Sequence, residues 1–516
     1  VSDIGKTLQA KIAELAEAGQ ITALEEARER TPEGLVAVAG LRGIGPKRAM
    51  AAHEALGVSS LEDLSQALHD GRLADIPGFG KGTVESIGEQ LAERAMRAEG
   101  GDRIPLGRAL LIAQRVRLEL AAAPGVDAVE IAGSLRRGRE SVHDIDLIAT
   151  EERPGAAANA LGAEPGSIGE DGVTHARAKT GDGTWVELIA GPRESHGNRL
   201  QHATGSAAHN VRLRERAVRM GLTVSQHGIV DEDGERHVHA DEAGVYAALG
   251  LPYIPPELRE DRGEIEAALA GELPRLVELG DLRGDLHIHT NWSDGRDSLD
   301  EMVEGGIARG YSYVGISDHS PRLRMARGLD ESRLRAQWEE IAAARERYPG
   351  ISILRACEVD IVAEGLDFED EVLEELDFVT ASLHSGFSLS GRELSDRVLR
   401  AIRSPHVDSI GHPTGRMLGK RESAPLDIMA IADAAAETGT ALEINGQLNR
   451  LDLDSENARV ALDAGATLIL SSDAHSAGGL DFIANCVLVA RRAGAPPERI
   501  LNTSRDLGGL LSARTA

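Results

Sequence analysis

Two histidines stand two residues apart in GDLHIHTNWSDG, residues 284–295, interleaved with Leu286 and Ile288, and Asp294 follows just past them. A β-strand sends alternate side chains to opposite faces. Leu286 and Ile288 would therefore enter a core while His287 and His289 face the other way together. Further on come His319, Glu358, His384, His412, Asp473 and His475. Nine nitrogen and oxygen donors in one mouth would be costly unless something positive binds there. Imidazole and carboxylate without thiolate suit Zn, Mn or Fe. Nine donors exceed the needs of one ion, so two or three are expected. Ions clustered about 4 Å apart are the usual device for hydrolysing a phosphoester.

The elements that must position these donors can be read around them. From residue 284 onward, short β-like runs alternate with helical stretches: GDLHIHT, YSYVGISDH, ISILRACEVDI, DFVTASLHS, VDSIGHP, TALEINGQ and TLILSSDAH. That order predicts parallel strands with helices outside, closed into a barrel of seven units. Active sites of such barrels lie at the C-terminal strand ends, where these donors fall. The sixth strand has no obvious ligand at its tip, where Glu443 and Asn445 stand.

HIH…SDG, SDHS, CEVDI, SLHS, GHPTGR and SSDAHS stand in this order across residues 284–476, and in this they resemble the PHP (polymerase and histidinol phosphatase) superfamily. The resemblance implies a distorted seven-unit barrel and places the family's metal positions on the nine residues named. Arg416 and Lys420 in GHPTGRMLGK, and Arg450 in NRLDL, would be phosphate contacts or ordinary surface charges.

The rest of the chain bears on the substrate. With 516 residues, 41% hydrophobic and 27% charged, the chain is globular and long enough for about two to four domains. Two distant cysteines, Cys357 and Cys486, argue against a disulfide framework and suit a reducing cytoplasm. No apolar run approaches the roughly 20 residues of a membrane helix, and no signal peptide is seen, so no membrane partner is expected. A net charge of −28 argues against a generally basic nucleic-acid surface, but local patches, backbone N–H groups or metal ions could still hold DNA.

Residues 1–100 read as short helices punctuated by glycine. GLRGIGPKRA (40–49) and ADIPGFGKGT (74–83) share a hydrophobic-x-Gly-hydrophobic-Gly pattern about 35 residues apart. Gly43 and Gly45, and then Gly78 and Gly80, allow a turn whose N–H groups point outward at a helix N-terminus, a geometry that binds phosphate without reading sequence. Lys47, Arg48 and Lys81 would add charge. The two segments resemble tandem helix-hairpin-helix DNA-binding motifs. SDIGKTLQAKI resembles the remainder of a third, with Asp3 at its first glycine, so residues missing before Val1 are expected.

In IAGSLRRGRESVHDIDLIAT (131–150) a strand leads into Gly133 and Ser134, which can approach a triphosphate closely. Asp144 and Asp146 then share a strand face that can hold two divalent cations or can simply be solvated. The arrangement resembles a nucleotidyltransferase palm, and Glu187 in DGTWVELIAG fits as its third acid. LQHATGSAAHNVRLRERA (200–217) resembles the sugar-side segment and thumb of family X DNA polymerases. By that resemblance Arg137, Thr204 and Gly205 join Gly133 and Ser134 at the nucleotide. Arg212, Arg216 and Arg219 share one helical face. They could track a DNA backbone or be a solvated face.

The expected fold is therefore multidomain α/β. It has a helix-hairpin-helix region (1–100), an α+β palm (101–190), a thumb (191–255), a proline-marked linker (256–280) and the barrel (281–516). This order resembles the bacterial family X DNA polymerase with a C-terminal PHP domain. The resemblance implies a cytoplasmic base-excision repair enzyme acting on gapped or 3′-ended DNA. The barrel would be a 3′–5′ exonuclease with Mn or Zn. The palm would fill gaps from dNTPs with Mg or Mn.

The palm departs from the pattern. Glu187 replaces the usual aspartate, and a shift of about 1 Å can cost on the order of 10²-fold in rate. His202 and Ala203 replace an aromatic pair, and the stretch from Asp146 to Glu187 is short. Three readings stand: polymerase plus nuclease, a nuclease with a weakened palm that mainly holds DNA, or a small-molecule phosphatase similar to histidinol phosphatase. The palm changes weigh toward the second. No oligomeric state is implied.

Overall fold

The computed structural model describes residues 103–163 and 172–504, with segments 44–58, 72–76 and 79–80 and scattered positions between 35 and 87. The chain divides into two compact units, Val1–Arg103 and Ile104–Ala516.

In the first unit, Pro46 lies in the opening turn of helix Gly45–Leu56, and Gly57 ends the helix in the left-handed conformation, the usual N-terminal proline and C-terminal glycine asymmetry. Ile44, Ala49, Ala52, Val58, Leu73, Ile76 and Phe79 form part of a small separate core. Gly45 has φ +61° with open space where a Cβ would stand, and the space beside Gly80 is also open. Lys47 is exposed. Gly43, Gly78, Lys81 and the SDIGKTLQAKI segment lie outside the described residues.

The second unit begins with helix Leu106–Ala121. Leu106, Ala109, Ala113, Val116 and Leu120 recur at helical spacing and bury one stripe. The helix packs on a four-stranded sheet in the order Val126–Ile131, Asp144–Glu151, Trp185–Gly191, Thr174–Lys179. The central pair is parallel and sets Asp146 directly opposite Glu187.

The thumb follows with helices His196–Thr204 and Ala207–Arg219, a three-stranded sheet and helix Glu242–Ala248. The expected linker at 256–280 is mostly part of it. Leu258, Ile265, Ala268 and Leu276 join Leu213, Val245, Tyr246 and Ile254 in one core. The proline cluster opens a 3₁₀ turn at Pro256–Leu258, since proline suits a first helical turn, and helix Glu264–Ala270 comes next.

The barrel strands are Gly284–Ile288, Tyr313–Ile316, Ser352–Val362, Phe378–Ser382, Ser409–Gly411, Ala441–Asn445 and Leu468–Ser471. They lie side by side in chain order and in parallel. A parallel bridge between Ile288 and Ala474 brings the two edges together. Covered on both faces, the strands can be apolar along nearly their whole length. Cys357 and Cys486 are buried and free. Among the described residues no helix is long and apolar enough to cross a membrane.

Palm and barrel share one continuous hydrophobic core. Gly107 of the palm helix lies so close to Leu448 of the barrel that a Cβ would come within 2.1 Å of its Cδ2. Arg492, on the barrel's last helix (Ile483–Ala493), donates to Glu260 of the thumb at 2.7 Å and to the Arg137 carbonyl of the palm at 3.1 Å.

Candidate metal centre

The seven strands aim their C-terminal ends at one mouth, and the nine expected ligands meet there. Glu358, on the third strand, is the hub. Its Oε2 lies 2.7 Å from His319, 3.4 Å from His287 and 3.7 Å from His289, and its Oε1 lies 2.9 Å from His412 and 3.3 Å from His384. Asp473 approaches His289 at 3.2 Å, and Asp294 lies 3.3 Å from His475 and 3.5 Å from His319. The donors fall into four convergent groups that share Glu358, His287, His289 and His319 and together include all nine residues. Shared donors are what a cluster of ions needs and a single ion does not.

The chemistry of the set fits divalent cations. His287 Nε2, both nitrogens of His289, His319 Nδ1, His412 Nδ1 and both oxygens of Glu358 are buried without a hydrogen bond. Several of them stand at ion-pair distance from one another, His319 Nδ1 2.7 Å from Glu358 Oε2 for example, yet without hydrogen-bond geometry, as fits donors aimed at a shared cation rather than at each other. Two of the expected ligands, His412 (φ +27°) and Asp473 (φ +52°), stand in left-handed backbone, a strain that persists only where the surroundings impose it.

Titration follows from this crowding. Burial works against charge on Glu358, but the His319, His384 and His287 imidazoles outweigh it and hold the carboxyl well below the usual range. Burial likewise opposes a charged His319, yet Glu358 and Asp294 push it up to about 10. His384 and His475 rise to about 9 against burial, chiefly through Glu358 and Asp294 respectively. His289 falls to about 3, through burial and then its neighbours His319 and His475.

A second set of polar residues, not assigned from the sequence, orients the ligands. Glu443 accepts from His287 Nδ1 at 2.6 Å and from the His412 backbone N–H at 2.5 Å. Asp360 pairs with His384 Nδ1, Asn445 donates to Asp473 at 3.0 Å, and Gln447 donates to the Asp473 carbonyl. Such partners fix the imidazole tautomer and ring direction. For Asp360 the signal was present in CEVDI, because it sits two residues after Glu358 on the same strand face.

The expected phosphate contacts separate. Arg450 has its Nε 3.9 Å from Asp473, beside the centre. Lys420 is exposed, in the turn where Met417 and Arg421 pair. Arg416 is corrected. It is buried, forms a double hydrogen bond to Glu140 of the palm at 2.9 and 3.1 Å, and also holds the Arg450 and Leu451 carbonyls. It is a strut between barrel and palm.

In the palm, Gly133 has φ +61°, and a Cβ there would collide with Asp146 Oδ2 at 1.7 Å, so only glycine fits. Burial, then Asp144 and Glu187, push Asp146 up to about 7. Glu187 is half exposed and lies 3.3 Å from Arg177, whose guanidinium is 4.3 Å over the Trp185 ring. A pocket of about 470 Å³ touches Asp146, His175, Arg177, Glu187 and Ala203. Among the described residues these palm acids form no convergent metal group.

Ser134 is half-buried at the start of the short helix Gly133–Arg136. Thr204 is buried and accepts from Arg136 at 2.8 Å, and Gly205 follows at φ +69°. The expectation for Arg137 is also corrected. It pairs with Glu260 at 2.9 Å and donates to the Thr204 carbonyl at 2.5 Å, so it ties palm to thumb.

Comparison with known proteins agrees with this layout. Residues 35–93 match the SAM-like helix-hairpin-helix tandem family, 199–260 the DNA polymerase beta thumb, and 285–447 the PHP domain. A Bacillus subtilis protein named "DNA polymerase/3′-5′ exonuclease PolX" is 37% identical over 508 residues, covering 97% of this chain and 88% of that one. A protein of Edwardsiella ictaluri named "Probable phosphatase" is 31% identical over 231 residues, 43% of this chain and 89% of its own. Another of that name, from Shewanella pealeana, is 32% identical over 244 residues, 45% and 92% respectively.

Proposed function

The chain belongs to the family of the DNA polymerase/3′-5′ exonuclease PolX, and from that premise we propose that its barrel removes nucleotides from DNA 3′ ends while its palm holds the same DNA and extends it weakly. The observation that carries the proposal is the convergence of nine donors at one mouth, five histidines of them around Glu358, in a chain whose other segments match helix-hairpin-helix and polymerase thumb families. Two or three divalent ions, Mn or Zn, would supply the positive charge that polarises a phosphodiester and activates water.

The residues present the rest. Glu443, Asp360 and Asn445 hold ligand geometry. Arg450 stands where a scissile phosphate would gain a cation. Around Gly45 and Gly80 the open space leaves room for a DNA phosphate near the backbone. In the palm, Asp144, Asp146 and Glu187 would hold Mg or Mn beside a dNTP. The Arg177 partner of Glu187 and the raised Asp146 support a weak site. The setting we propose is cytoplasmic DNA repair.

One gel tests this: a 5′-labelled primer on a gapped template with Mn²⁺, with and without dNTPs. Shortening without dNTPs and little or no lengthening with them is the expected result. Shortening that persists in both His287→Ala and Asp473→Ala would remove the barrel from the assignment. No change in either lane, with turnover of histidinol phosphate, would favour a small-molecule phosphatase.

A further inference from the structure

The barrel mouth holds a third arginine that the metal centre does not use. Arg421 follows the fifth strand, and its guanidinium lies 3.9 Å from the centroid of the Phe387 ring. Its Nε donates to the Gly415 carbonyl at 2.7 Å. Gly415 in turn donates from its own N–H to the carbonyl of the ligand His412 at 2.9 Å. Phe387 comes three residues after the ligand His384 and packs on Gly415, where a Cβ would fall 2.4 Å from the ring. Ring and guanidinium are thus fixed to the two loops that carry His384 and His412. Both side chains are half-buried.

Among the described residues, the terminal nitrogens of Arg421 make no hydrogen bond or ion pair. Burial and then the Arg450 guanidinium lower the Arg421 pKa, and the Asp452 carboxylate only partly opposes them. Two guanidiniums on adjacent loops at the mouth of a cation centre repel one another. An anionic ligand between them would remove that repulsion. A guanidinium held over a ring can offer its other face to a planar partner and its terminal N–H groups to a phosphate. One ligand with both a planar ring and successive phosphates is a nucleic-acid strand.

We propose that the Phe387–Arg421 stack seats the terminal base of a DNA 3′ end and that Arg421 reaches the next phosphate, while the scissile phosphate lies at the metal centre beside Arg450. This rests on the nuclease reading and extends it, because it names the residues that tell a nucleotide from a small ester.

The test compares wild type, Arg421→Ala, Arg421→Lys and Phe387→Ala, all Mn-loaded. The substrates are a 5′-labelled oligothymidylate, the same strand ending in an abasic sugar, and methyl p-nitrophenyl phosphate. Arg421→Ala should raise KM on the intact strand about tenfold with kcat and the small diester nearly unchanged. Phe387→Ala should erase the wild-type preference for the intact end over the abasic one, and Arg421→Lys should recover part of the KM. Unchanged KM in both alanine variants, or equal loss on all three substrates, would overturn the proposal. A wild type that cleaves the small diester and leaves both strands whole would overturn the nuclease reading, and this inference with it.

Discussion

Barrel and palm each gather carboxylates where cations are expected, and the two places are built differently. In the barrel, nine donors from six of the seven strands and the loops after them meet at one mouth, six of them buried, with Glu443, Asp360 and Asn445 holding His287, His384 and Asp473, and seven of their atoms lack a hydrogen bond. In the palm, three acids come from two strands. One is half-buried and charge-crowded, and another is half exposed and paired with Arg177. The difference teaches what makes a carboxylate cluster a metal site: burial and second partners that leave the donors no alternative but an ion. Acids that can turn to water or to an arginine lose little when no ion is present.

The sharpest way to break the contrast is to remove one ligand from each place. Asp473→Ala should abolish 3′-end degradation, whereas Asp146→Ala should leave it intact, as read on the labelled primer. Equal losses would mean that one site serves both activities. Next in size is Glu443→Ala, expected to weaken metal binding by about 10–100-fold, measured by titration with Mn²⁺. If the affinity holds, the outer partners are not what defines the barrel site.

Saturating metal should raise the melting temperature, by mass action worth about 2.7 kcal/mol at a hundredfold excess over Kd. The gain should grow with pH. The pKa of His319 is raised on folding from 6.5 to about 10, so the stability it contributes without metal is full below its unfolded pKa and is lost as pH climbs toward 10. Ions, by contrast, bind better as protons leave. A metal-induced shift that is flat from pH 6.5 to 9.5 would contradict this.

The smallest effect belongs to the palm. Asp146 is raised from 3.8 to about 7, so folding is penalised as pH rises through that interval. Asp146→Asn should then stabilise the chelated protein at pH 8 on the order of 1–2 kcal/mol, seen in urea unfolding. No gain would mean that the palm acids are better solvated than their burial indicates.

The convergence of the nine candidate residues was legible because strand alternation and the position just past a strand are local facts. His287 and His289 declare a shared face within three residues, and the strand order brings the others to the same end. Glu443 was visible as a residue but not as a partner, because His287 lies 156 positions away and only the closed barrel joins them. Arg416 and Arg137 were misread for one reason: a guanidinium suits a phosphate and an internal glutamate equally well, and the contacts with Glu140 and Glu260 depend on domain packing. The linker was misread because prolines mark turns and first helical turns alike.

Gly107 and Leu448 carry a consequence for anyone dividing this protein. The relatives from Edwardsiella and Shewanella are matched over 89% and 92% of their own length by 43% and 45% of this chain, which invites expressing residues 281–516 alone. Here that excision would strip the palm from Leu448 and leave Arg416 without Glu140, exposing a seam that is interior in the intact chain. The natural place to cut is after Arg103; a cut at the barrel's edge would leave a fragment prone to stick to itself until the seam is resurfaced with polar side chains.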